Sequence, residues 1–211
     1  MRMRLLPAFS VSFLVLGSCS LMPEDGFEVK QWNARLGANL SYTGEVDIDG
    51  STSSVTSDFD DSSYGFAVEA ENAEGWAPFV EYGRGSWNFD WPVEVDFERF
   101  SFGSRFYMDD MGDGESILAG TRPFFSGALA WIQPQGFYDG AERHHMNQAW
   151  ALNLGAGLQR EFSNDLFVEV GAQLVYGQLD EAIRNEVTTA TADTSWDWND
   201  VQLVFGVGKR F

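Results

Sequence analysis

The chain has 211 residues, 44% of them hydrophobic, with 13 basic against 32 acidic side chains and a net charge of −19. Such an acid excess argues against nucleic acid and against anionic surfaces as partners. Its one cysteine, Cys19, excludes an intrachain disulfide, and nothing in the composition suggests a second domain.

Arg2 and Arg4 precede an apolar run from Leu5 to Leu16. That run is too short to span a bilayer as a helix and reads as a secretory signal. It closes on Leu16-Gly17-Ser18-Cys19, which resembles a lipobox and makes Cys19 the candidate lipidation site. Ordinary cleavage after Ser20 is the alternative. Residues 1–18 are therefore expected to be a signal peptide, residues 19–30 a periplasmic tether and residues 31–211 the folded domain. Loss of Arg2 and Arg4 would leave 11 basic against 32 acidic side chains, a net charge of −21.

From there the side chains alternate, the period of a strand with one apolar face. In the first strand Trp32, Leu36, Leu40 and Tyr42 share one face, and Asn33, Arg35 and Asn39 the other. Residues 44–62 are acidic and rich in Ser and Thr, and read as a loop. The second strand sets Tyr64, Phe66 and Val68 against Gly65, Glu69 and Glu71, and Asn72-Ala73-Glu74-Gly75 makes a tight turn. Strand three runs from Trp76 towards Trp87 with Glu81 inward, and strand four, about 94–108, places Arg99 and Arg105 opposite Phe100, Phe102 and Phe106. The fifth, Arg122 to Gln133, has apolar residues on both faces. The sixth (Gln148 to Phe162) carries Glu161 inward and the seventh (Leu166 to Tyr176) Glu169. After a long loop to about Thr194, Val201–Phe211 forms the last strand, apolar on one side with Gln202 and Arg210 on the other.

Ten-residue strands with alternating faces, separated by alternately short and long connections, build a transmembrane barrel. The expected fold is all-β: an eight-stranded antiparallel up-and-down transmembrane β-barrel, with nine or ten strands if a long loop hides another. Aromatic residues near the strand ends (Trp32, Tyr42, Trp76, Tyr82, Trp150, Phe162, Tyr176) read as interfacial girdles. An eight-stranded lumen is just wide enough to be filled by side chains. Arg35, Glu69, Glu81, Arg99, Arg105, Glu161, Glu169 and Arg210 are thus expected to form a charge network inside it.

Three further motifs read as surface. His144-His145 is taken as a solvated pair in the third outer loop, since adjacent rings on an extended chain point apart. Asp58-Phe59-Asp60-Asp61 lacks the spacing of a dedicated calcium loop and reads as solvated. Trp196-Asp197-Trp198-Asn199-Asp200 reads as an aromatic, acidic rim at the outer leaflet. No metal ligand set, cofactor motif or catalytic group is assigned.

Asn153-Leu154-Gly155-Ala156-Gly157-Leu158, then a short turn and Leu166-Phe167-Val168-Glu169-Val170-Gly171-Ala172, resembles the paired late strands of the small outer-membrane β-barrel family, which includes outer-membrane protein A domains and opacity-type porins. Arg122-Pro123-Phe124 resembles its fifth-strand start, and the aromatic Phe211 resembles the assembly signal of such proteins. The resemblance implies a Gram-negative outer-membrane location. Its implied partners are outer-membrane lipids, lipopolysaccharide and the barrel-assembly machinery, with divalent cations as candidates at the acidic loops. The function expected is non-enzymatic, structural or surface-interacting, through acidic extracellular loops. A lipid A-modifying enzyme and a narrow solute channel are the alternatives; a His-x-Ser pair of the deacylase kind is absent, because Met146 and Asn147 follow the histidines.

Overall fold

The computed structural model describes residues 27–211 apart from 51–53, 91–92, 113–117, 140–141, 163, 186–187 and 189–190. The signal segment, Cys19 and most of the tether lie outside the described residues.

Among the described residues every regular element is a strand: β1 (Val29–Asp49), β2 (Ser54–Asn72), β3 (Trp76–Phe89), β4 (Glu94–Tyr107), β5 (Thr121–Pro134), β6 (Phe137–Asp139), β7 (Glu142–Met146), β8 (Ala149–Glu161), β9 (Leu166–Asn185) and β10 (Thr191–Arg210). Eight of them close a ring in the order β10-β1-β2-β3-β4-β5-β8-β9, shut by pairing of β10 with both β1 and β9. All pairings are antiparallel, and through the middle of the ring each strand is paired on both edges, as a bilayer requires. The eight-strand ring is the one the alternation predicts. The two additional strands, β6 and β7, form a small hairpin that continues the wall above β5 and β8, outside the ring.

The segments read as long loops are the main correction. β1 runs on to Asp49 and β2 begins at Ser54, so most of 44–62 is paired ribbon. β9 likewise runs to Asn185, and β10 starts at Thr191. Acidic Ser/Thr-rich composition suits loops, but period-two alternation continues through it, with Val46 and Phe59 buried on the inner side. A bulge between Leu40 and Gly44 marks where the first ribbon leaves the barrel wall.

Tight turns join β2 to β3 and β8 to β9 at one end, with Gly75 at φ 82° in the first of them. By the usual asymmetry that end is periplasmic and the tall ribbons stand outside. Between them Leu36, Tyr64, Phe66, Phe100, Phe125, Trp150, Val170, Tyr176 and Phe205 point outward and stay exposed, a belt of apolar surface whose solvent is lipid. Of the seven girdle residues Trp32, Tyr42, Tyr82, Trp150, Phe162 and Tyr176 are outward and exposed, and Trp76 is half-buried.

Candidate functional site

The lumen is filled in tiers. At the periplasmic end Arg122 donates to both carboxylate oxygens of Glu71, at 2.5 and 2.8 Å, and to Gln159 Oε1 at 3.1 Å. Arg210 pairs with Glu161 and donates to Gln159 at 2.8 Å. Tyr107 donates its hydroxyl to Glu69 at 2.6 Å, and the Arg122 guanidinium lies 3.9 Å from the centre of the Tyr107 ring.

One tier up, Glu169 accepts from Arg35 at 2.5 Å and from Arg105 at 2.7 Å, while Glu81 accepts from Arg35 at 2.8 Å and Arg99 at 2.9 Å. Glu169 has space because Gly206 on the neighbouring strand has no Cβ; one there would stand 2.6 Å from the Glu169 side chain. Arg105 also sits 4.5 Å from the Phe124 ring centre and 3.8 Å from Glu69. Three guanidinium groups and three carboxylates thus neutralise one another in a space where any single charge would be costly. A cavity of about 30 Å³ adjoins them, lined by Arg35, Glu81, Ser101, Arg105, Asn153 and Gln173. It has room for a water or two.

Further towards the outer end, Gln202 donates to Asp61 at 2.9 Å and to Asp200 at 2.7 Å and accepts from Gln173 at 2.6 Å; Ser41 donates to Asp200 at 2.6 Å. Burial, together with the neighbouring Asp200 charge, pushes the Asp61 carboxyl up to about 7, against the opposing pull of Arg99. The uppermost tier is aromatic: Phe59, Trp87, Phe97, Trp196 and Trp198 are all buried and pack with Val46, Val95, Ile132, Val175 and Leu179. Trp87 and Trp198 lie 5.4 Å apart, and Phe89 meets Trp196 edge-on at 5.4 Å.

All eight residues assigned to the lumen from sequence point inward, and the ion pairs run across the barrel between strands. Arg122 was not among them, because Phe124, Phe125 and Leu129 blur the two faces of β5. In the structure Phe124 is inward and Phe125 outward, which gives Arg122 the parity of Phe124. Phe211 exchanges two main-chain bonds with Trp32, at 3.2 and 2.8 Å, which extend the β1–β10 closure by one residue. Its ring is exposed.

Three surface readings are corrected. Trp196 and Trp198 are not a rim: both turn into the lumen and are under 7% exposed, because they share the parity of Gln202 counted back in steps of two. Asp58 and Asp60 are exposed, but Phe59 and Asp61, which alternate with them, are buried. His144 is not a solvated partner of His145. Its Nδ1 is 2.6 Å from Glu181, and its ring stacks on Phe137 at 4.2 Å. Glu181 also accepts from Thr194 and Trp196, so this cluster fastens the β6–β7 hairpin to β9 and β10. No group of three potential metal ligands occurs among the described residues.

No protein-family model matches the chain, and no curated protein matches it in sequence. Solved structures do. The outer membrane protein OprG from Pseudomonas aeruginosa is 11% identical, with 88% of this chain and 98% of that one covered at a TM-score of 0.65. The outer membrane protein AlkL, solved in lipid bilayers, is 14% identical over 88% of this chain and 92% of its own, at a TM-score of 0.59. Neisserial surface protein A is 13% identical over 85% and 97%, at 0.50. At such identities the likeness speaks for the backbone alone. Eight antiparallel strands in a closed ring, apolar outside and charged within, give this chain the fold of the small outer-membrane β-barrels.

Proposed function

We propose that this protein is a non-conducting, non-enzymatic barrel of the Gram-negative outer membrane that acts through its acidic outer ribbons. The observation that supports this reading is the filled lumen: ion pairs, a carboxyl–amide cluster and an aromatic plug occupy successive levels of one tube. An eight-stranded barrel so packed has no room for a solute to pass without unpairing buried charges. What the barrel offers to its surroundings is then its outer end. There Glu45, Asp47, Asp49, Asp58 and Asp60 face away from the lumen and are exposed. These acids suit divalent cations that bridge lipopolysaccharide phosphates, and the belt suits outer-membrane lipid. Lipidation at Cys19 would add a second anchor in the inner leaflet.

Conductance of the purified protein in planar bilayers tests the reading. Steps no larger than the protein-free baseline agree with it, and reproducible ion-conducting openings reject it. The lipid A acyl pattern of cells with and without the gene tests the non-enzymatic part, where any change in acylation rejects it.

A further inference from the structure

The ring of strands ends at unequal heights on its outer side. β3 stops at Phe89 and β4 begins at Glu94, whereas β2 reaches up to Ser54. β2 pairs with β3 only as far as Phe59 opposite Phe89. Beyond that, Ser54–Asp58 is hydrogen-bonded to β1 alone, and among the described residues no strand covers its other edge. The free edge is five residues long, about 17 Å of extended chain. Edges like this are ordinarily blunted by charged side chains, above all lysine, by proline or by a bulge. Ser-Val-Thr-Ser-Asp has no lysine, proline or bulge, and its one charge is the acid Asp58.

The two faces beside this edge differ sharply. On the inner side Val55 is 53% exposed and lies next to Ile48, in line above the Phe59–Phe89 contact. On the outer side Asp58 is registered against Glu45, while Thr56 donates to Asp47 at 2.6 Å. Acids directly opposite one another repel, and a positive neighbour would relieve them.

We propose that the Ser54–Asp58 edge is a docking strand for an extended polypeptide segment of alternating apolar and basic residues, bound by strand addition. Main-chain hydrogen bonds to the free edge supply affinity, apolar side chains meet Val55 and Phe89, and basic ones lie over Asp58 and Glu45. A second copy of this chain is the wrong partner: edge-to-edge pairing would set one acidic face beside another. The inference names the partner class for the surface role proposed above and rests on that role.

The test uses the full protein in nanodiscs of zwitterionic lipid, with empty nanodiscs as the blank. Its probe is a labelled, amidated Lys-Val-Lys-Val-Lys-Val-Lys peptide read by fluorescence anisotropy. Saturable binding is expected, with a Glu-Val counterpart at least tenfold weaker. Two N-methylated versions of the probe, blocked on one or the other set of alternate amides, separate strand addition from simple charge attraction. One should bind and the other should not, because a strand uses one edge at a time. Glu45→Lys with Asp58→Lys should weaken the parent peptide at least tenfold in protein that keeps its heat-modifiable migration. Equal binding of both methylated peptides, equal binding of the acidic peptide, or absence of saturable binding each overturns the proposal. Absent binding with absent conductance removes this inference and leaves the closed-barrel reading standing.

Discussion

Glu169 holds the middle tier together, so Glu169→Gln is the most direct perturbation of the filled lumen. Its carboxylate is buried and accepts from Arg35 and Arg105. The amide keeps the shape but loses the charge. Arg35 would retain Glu81 at 2.8 Å, whereas the nearest remaining acid to Arg105 is Glu69 at 3.8 Å. Removing one member of a buried pair strands its partner, a loss of about 3–5 kcal/mol. That equals roughly a hundred- to several-thousand-fold in the folding equilibrium. Urea unfolding in phospholipid vesicles, followed by tryptophan emission and by heat-modifiable migration, measures it. Arg105→Gln and the double variant complete a cycle, in which a coupling of about 1–3 kcal/mol is expected because the double change removes both charges together. A Glu169→Gln cost below about 1 kcal/mol with strictly additive singles would show that the pairs contribute nothing to the fold.

Asp61 provides a pH test. Its carboxyl is raised from 3.8 to about 7 in the folded chain, so the native state holds a proton that the unfolded state releases. Stability should therefore fall as pH rises from about 4 to 7 and stay lower above that, by at most roughly 4 kcal/mol. Asp61→Asn should remove this fall, and superimposable urea midpoints for both proteins at pH 4 and pH 8 would contradict it. In the plug, a Cβ at Gly177 would lie 1.9 Å from the Trp198 ring. Gly177→Ala should cost about 1–3 kcal/mol by overpacking, and Trp198→Ala about 3–5 kcal/mol by leaving a cavity. Their combination should cost less than the sum, and a cycle without coupling would argue that the ring is not wedged there. Phe211→Ala keeps the main-chain bonds to Trp32 and deletes only the ring. If the ring is an assembly signal, the folded fraction in cells should fall while unassisted refolding into vesicles is unchanged. An equal loss in both would assign the ring to stability instead.

Much of this protein follows from parity alone. The side chain of Arg35 must point opposite to those of Leu36 and Leu40, and the same holds for Glu169 between Val168 and Val170. A period of two, repeated eight times with one lipid-compatible face, leaves little choice but a closed barrel with charges inside. Counting in twos also reaches Asp61 and Phe59 from Gly65, and Trp198 and Trp196 from Gln202, but acidic composition hides this by imitating a loop. β5 stays ambiguous for a different reason: lipid and lumen both accept Phe, so Phe124 and Phe125 differ only in which side the closed ring gives them. Alternation along the chain therefore settles which residues share a face. Which of them meet was decided by closure and stagger of the ring, because Arg35 with Glu169 and Gln202 with Asp61 are 134 and 141 residues apart and touch over one intervening strand, β10 and β1 respectively, which only the closed ring places between them. The unequal strand heights that free the Ser54–Asp58 edge are also a product of that stagger, since no local pattern records where a neighbouring strand stops.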